Sequence, residues 1–370
     1  MKKHEHFTSG GESHHKVAII TDTHFGARND SQAFMNYFRK FYEEVFFPTL
    51  EERGIRTVIH MGDVVDRRKF INWKTLYQMR EVFFDACYGR YINLHVIIGN
   101  HDTFFKNTNA VNSMEGLRLE NNHQFHVYTD PTEVEIDGLK CLMQPWICDE
   151  NREQSLKAIQ DTEAQILFGH LEVKGFEMHA GSWNHEGVDA SLFKKFDMAM
   201  SGHFHHKSDN GNVYYLGNPY EITWSDYNDP RGFHIFDTKT RELEFIQNPF
   251  QMFHKIYYDD ENTQTMESIQ AEDYSKYKDC YVKIVSVKKT NPFIFETLVD
   301  KLYKEGTEDI SVVENFAEFE NMNDIDDIDQ AEDTMTILSK YVNSMKIDNK
   351  QELDTLMKSL YTEALAMETI

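Results

Sequence analysis

Five short apolar runs limit what this chain can become. Residues 17–20 run into Asp22 and His24, and residues 57–61 into Gly62 and Asp63. Residues 95–98 run into Gly99, Asn100, His101 and Asp102. Residues 165–168 lead to Gly169 and His170, and residues 197–200 to Gly202, His203 and His205. A continuous, largely β-branched run of this length reads as a strand buried on both faces. A glycine behind it lets the backbone turn tightly. Asp, Asn and His side chains are thereby delivered to the ends of several strands, where open α/β sheets bind their ligands.

The segments between the runs complete the architecture. Residues 30–53 have helical apolar spacing, with Asp30 or Ser31 as cap, Gly54 as stop and Pro48 kinking or dividing the helix. Residues 72–88 have the same spacing. Strand, helix, strand, helix, strand implies a parallel sheet with right-handed crossovers. From 125 to 144 the period changes to two around Asp137 and Gly138, a hairpin signal. Residues 150–160 read as a helix, and 213–216, 233–236 and 243–246 as short antiparallel strands. Past Pro249 the composition shifts. Residues 251–322 read as a small α+β unit, 323–330 as an acidic linker, and 331–370 as two helical stretches. Residues 1–15, polar and rich in His and Gly, read as a disordered leader outside any site.

Composition narrows the function classes. A chain of 370 residues can bury a sizeable core. None of its apolar runs has membrane-spanning length. Four cysteines without a CxxC pair fit a reducing, cytoplasmic compartment. The net charge of −24, from 38 basic and 62 acidic residues, argues against phosphate-backbone binding over the whole surface. It leaves room for a polynucleotide held at a cationic metal site with a local basic rim.

Asp and Asn oxygens with neutral imidazoles suit borderline divalent metals such as manganese, iron or zinc. Asp22, His24, Asp63, Asn100, His170, His203 and His205 make seven ligands. Seven serve two metals if one carboxylate bridges and positions stay open for water and substrate. Each piece alone has an ordinary explanation, since an Asp at a strand end is commonly a cap and a lone His a satisfied core residue. The five together, each at the end of an apolar run, are what carries the reading.

Asp22 and His24, Gly62 to Asp66, Gly99 to Asp102, Gly169 with His170, and Gly202 to His205 resemble the calcineurin-like metallophosphoesterase superfamily over residues 16–250. Gly62 to Lys69, Gln144 to Trp146, Trp183 to Gly187, Tyr215 to Tyr220 and Asn228 to Phe233 resemble its SbcD-type recombination nucleases, including those of large tailed phages. The resemblance implies a mixed β-sandwich flanked by helices, with a small α+β capping domain at 251–322 and C-terminal helices at 331–370. It implies that Asp22, His24, Asp63 and His205 hold one metal and Asp63, Asn100, His170 and His203 the other, with manganese as the usual ion. It makes His101 the group facing the scissile phosphate, Asp102 its orienting partner and Asp66 an outer-sphere residue. Arg67, Arg68, Lys69 and Arg231 flank the motifs as candidate DNA contacts, with ordinary solvated charges as the competing reading.

The same resemblance implies a DNA exo/endonuclease working with a coiled-coil ABC-type ATPase in recombination and repair. The apolar stripe over 335–365 must bury against something, and the ATPase is the expected partner. A homodimer is also expected, with the aromatic-rich helix near 30–47 either its face or simply core. The alternatives are a phosphoesterase acting on a phosphoprotein or small phosphodiester, and a non-catalytic DNA-end scaffold.

Overall fold

In the computed structural model the five apolar runs become central strands of two six-stranded sheets. The structure describes residues 15–117, 123–179, 182–314, 342, 349–350, 353–357 and 360. The first sheet is ordered Leu243–Gln247, Gly232–Asp237, Lys16–Ile20, Thr57–His60, Asn93–Ile97, Phe125–Tyr128. Its last four strands are parallel. The second is ordered Ser208–Asp209, Val213–Tyr215, Met198–Gly202, Ile166–His170, Leu139–Gln144, Thr132–Ile136. The hairpin expected at Asp137 and Gly138 joins its last two strands, with both residues at positive φ (50° and 79°), as a tight two-residue turn demands.

Strand alternation then sets the layers. Val17, Ile19, Ile59 and Ile97 of the first sheet meet Met143, Ile166, Phe168 and Met200 of the second in one core. Ala18, Ile20, Val58 and Leu94 point the other way, into helices. Leu142, Leu167 and Ala199 pack outward against Ile159, Phe193 and Phe196. The result is a β-sandwich flanked by helices, as expected.

The helix expected over 30–53, with Pro48 kinking or dividing it, changes its winding earlier, at Tyr42. Gln32–Phe41 is α-helical, Tyr42–Phe46 widens to a π-turn, and Phe47–Glu52 resumes with Pro48 in its first turn, where no N–H is needed. Phe34, Phe38, Phe41, Tyr42 and Phe46 are each no more than 1% exposed, so this aromatic-rich segment is core and not a dimer face.

A third, parallel sheet, Phe253–Asp259, Tyr281–Lys288 and Asp309–Val313, has its own core with Met266–Ala271 and Pro292–Glu305. By contacts the chain divides into units 1–321 and 322–370. The expected leader (all but His15), the acidic linker, and most of 331–370, including Leu338 and Leu365, lie outside the described residues. Residues 353–357 are helical, with Leu356 and Leu360 more than half exposed. Among the described residues no helix is long and apolar enough to cross a membrane.

Two histidines outside the expected ligand set, His95 and His234, are buried as neutral groups. Burial pushes His234 down to about 3, and burial followed by nearby His126 pushes His95 down to about 4. The unfolded chain binds these protons near pH 6.5 and the folded chain does not, so stability is full above that value and is lost as pH falls from 6.5 toward 4. His234→Gln should flatten that acid slope by roughly 1 kcal/mol per pH unit, read from urea midpoints at pH 7 and pH 5.

Candidate metal centre

The strand ends of both sheets meet at one edge of the sandwich. Gly99 and Gly202 are required there. A Cβ on Gly99 would strike the Asp63 carboxylate and amide, and one on Gly202 would strike the Thr21 hydroxyl and the Asp22 carboxylate. Asp22, His24, Asp63 and His203 themselves sit at positive φ (52°, 42°, 54° and 87°). Non-glycine residues held in that region mark places where the surrounding structure imposes a functional geometry.

All seven sequence-predicted ligands come together. Asp22, His24 and His205 offer ligand atoms lying within 4.8 Å of one another, as do Asp63, His170 and His203. His24, Asp63 and His101 form a third such group, so Asp63 takes part in two. His24 Nε2 lies 3.1 Å from His205 Nε2, 3.8 Å from Asp63 Oδ2 and 4.0 Å from Asp22 Oδ1. His170 Nε2 lies 3.4 Å from Asp63 Oδ2 and 2.8 Å from Asn100 Oδ1, which is also 3.0 Å from His203 Nδ1. His170 Nδ1 is 2.8 Å from the Met61 carbonyl, an acceptor only, so Nδ1 carries a proton and Nε2 is the atom turned toward Asp63 and Asn100.

The electrostatics are those of a crowded, dry site. Burial, then His101 and His205, hold His24 well below its ordinary value. Burial opposes charge on His170, yet Asp63 and Asp22 bring it up to about 9. Burial works against an ionised Asp63, but His170 and His101 hold it well below the carboxylate range. Burial and Asp63 push Asp102 up to about 7.

Asp102 does not orient His101. Its carboxylate accepts N–H groups from Asp63 (2.8 Å), Val64 (2.9 Å), Val65 (3.3 Å) and Gly99 (2.9 Å). It clamps the turn that presents Asp63. His101 Nδ1 instead donates to the Asp66 carbonyl at 2.5 Å, and the His101 amide donates to Asp63 Oδ1 at 2.7 Å. The Asp66 side chain stands 3.6 Å from His24 Nδ1. Asp102→Ala would strand four backbone amides in a fully buried position and should cost at least about 3 kcal/mol, visible as a lowered Tm.

The candidate DNA contacts divide. Arg231 is a correction: its side chain is 4% exposed, ion-paired to Asp226 and Asp229 and donating to the His205 carbonyl and Asn218. It braces a strand-end loop and presents nothing to a substrate. Arg67 is paired with Asp30 and lies over the Phe70 ring. Arg68 donates to Thr103 Oγ1 and lies over Trp146, while Lys69 is exposed.

Some side chains support the site in ways the sequence did not signal. Buried His60 spans Thr23 Oγ1 (3.0 Å) and the Gly62 amide (3.3 Å). Tyr220 donates from 197 residues away to the Thr23 carbonyl at 2.7 Å. Thr21 Oγ1 donates to Asp22 Oδ2 at 2.6 Å.

The donor set fits divalent cations. Four imidazoles and two carboxylates converge without a lysine or arginine ion-paired to either carboxylate among the described residues. Aligned by family, residues 15–207 match the calcineurin-like phosphoesterases. The chain belongs to the calcineurin-like phosphoesterase family. Members of this metallophosphoesterase family bind divalent metals, and this phosphoesterase is accordingly a hydrolase of phosphate esters. Exonuclease subunit 1 of Enterobacteria phage T4 is 30% identical over 356 residues, spanning 94% of this phosphoesterase and 99% of that protein. The SbcD component of the SbcCD nuclease of Staphylococcus epidermidis is 25% identical over 179 residues, 41% of this chain and 47% of that one. Among solved structures, an archaeal phosphodiesterase is similar with a TM-score of 0.31 and 17% identity, covering 63% of this chain and 99% of its own.

Proposed function

We propose that this phosphoesterase is the nuclease subunit of a DNA-end-processing complex and hydrolyses DNA phosphodiester bonds with two divalent cations, manganese being the expected ion. The observation that carries the reading is the shared position of Asp63 between the groups on either side of it. Asp22, His24, Asp63 and His205 would hold one cation, and Asp63, Asn100, His170 and His203 the other. Bound there, the cations supply Lewis acidity and acidify a water toward neutral pH. The chain's own residues do the rest. His101, its Nδ1 spent on the Asp66 carbonyl, has Nε2 to turn toward the scissile phosphate, where the protonated ring stabilises charge and donates to the leaving oxygen. Asp102 keeps the Asp63 turn in place, and Met61 keeps His170 in one tautomer. The near full-length similarity to a phage exonuclease subunit supports DNA as the substrate.

The deciding experiment compares release of nucleotides from linear duplex DNA, with manganese, against turnover of a small aryl phosphodiester. DNA cleavage is expected. Turnover of the small ester alone would favour a phosphoesterase of small substrates.

In this reading 251–322 is a capping domain and 323–330 a tether to the helices of 331–370, whose partner is the coiled-coil base of an ABC-type ATPase. The exposed Leu356 and Leu360 support an outside partner. Deleting 331–370 should leave manganese-dependent cleavage of single-stranded DNA nearly unchanged and abolish co-elution with the ATPase in size-exclusion chromatography. A second copy of the chain is the other partner proposed.

A further inference from the structure

The loop that follows His101 carries two phenylalanines with no place in the core. Phe104 is 38% and Phe105 47% exposed, and their rings meet edge to face with centroids 4.8 Å apart. Exposed apolar residues are ordinary on mobile loops, but this loop is tied down. Phe104 N donates to the Val111 carbonyl at 2.8 Å, and Ser113 N to the Asp102 carbonyl at 2.8 Å. Thr103 Oγ1 donates to the Asn100 carbonyl at 3.0 Å. Asn109 Nδ2 donates to the Trp146 carbonyl at 3.0 Å, and Glu150 N to the Asn107 carbonyl at 3.1 Å. Arg68 reaches across to Thr103 Oγ1 (3.1 Å) and the Phe105 carbonyl (3.4 Å). The loop that carries the aromatic pair is therefore anchored, through Thr103, to the backbone of Asn100 beside His101.

Its neighbours are cationic in a chain of net charge −24. Arg68 donates to the Phe105 carbonyl, Arg68 and Lys69 line the same cleft as Phe104, and neither has an ion pair to a carboxylate among the described residues. A rigid aromatic surface beside unpaired cations matches what binds single-stranded nucleic acid, with rings stacking on bases and cations following phosphates.

The geometry points to Phe104 and Phe105 as a stacking platform for an unpaired nucleobase next to the scissile phosphate, making them specificity-determining residues for frayed DNA ends. This rests on the nuclease reading above. A base can lie on a phenyl ring only after leaving the duplex stack. Ends that are already unpaired avoid that cost and are cut in preference to blunt ones.

The test uses the full chain with manganese and two duplexes, one blunt and one with three mismatched terminal pairs, each carrying 2-aminopurine at the end nucleotide. The wild-type chain should favour the frayed end in kcat/KM by about fivefold to a hundredfold and quench its 2-aminopurine on binding. The double variant Phe104→Ala, Phe105→Ala should lose both preference and quench, with each rate expressed relative to the same protein's turnover of a small aryl phosphodiester. Phe105→Trp should keep them. An unchanged preference in the double variant overturns the inference. So does a loss that disappears at high protein concentration together with a change in sedimentation mass, which would make the loop a contact between copies. A wild-type chain that hydrolyses the aryl ester but neither duplex would instead overturn the nuclease reading, and this inference with it.

Discussion

Asp63→Ala should lower DNA hydrolysis by about a thousandfold or more and remove at least one equivalent of bound cation. The reason is positional. Asp63 belongs to two of the three potential ligand groups, with Oδ2 3.8 Å from His24 Nε2 and 3.4 Å from His170 Nε2. No other carboxylate in those groups is shared. Asp63 Oδ1 also accepts the His101 amide at 2.7 Å, so alanine removes a hydrogen bond as well as a ligand. Asp63→Asn keeps an oxygen for that amide and separates the two effects. Equal losses of activity and cation in both variants attribute them to the missing charge. Metal analysis of the dialysed variants settles it, and two full equivalents in either would dismiss the bridging role.

His101→Ala should behave differently, losing about a hundredfold or more in kcat while keeping both cations and DNA affinity. His101 is buried, and its Nδ1 is spent on the Asp66 carbonyl. Burial opposes its charge, but Asp63 and the Asp66 carbonyl raise its pKa above the ordinary histidine value, which favours the donor form. A group acting only on the developing charge lowers kcat and kcat/KM together. Because His101 also lies within ligand reach of His24 and Asp63, a variant that loses a cation in step with activity would make it a ligand instead.

The site is more legible in the sequence than its support. Each of the seven expected ligands ends a buried strand or follows one within a few residues, and here those ends meet at one edge of the sandwich, so local pattern suffices to collect them. For Asp102 the family resemblance points to the site but to the wrong partner. Its four amides come from two turns, around Asp63 and at Gly99, and no spacing rule couples those turns before the fold exists. Arg231 looks like a surface cation because flanking Asp229, Pro230 and Gly232 read as a loop. Only the tertiary structure turns it inward onto Asp226 and the His205 carbonyl. The helix over 30–53 widens at its middle, where a π-turn at Tyr42–Phe46 absorbs an extra residue that the 3.6-residue apolar pattern does not register. Sequence alone leaves that same segment open between core and dimer face, and burial of its rings decides for core.

The central claim is that two cations share Asp63. Electron paramagnetic resonance of the full chain titrated with manganese measures this most directly. The account predicts two equivalents bound per chain, with a spin-coupled spectrum from ions bridged by one carboxylate, and uncoupled signals in Asp63→Ala. Saturation at one equivalent, or two equivalents with no coupling in the wild-type chain, would contradict it.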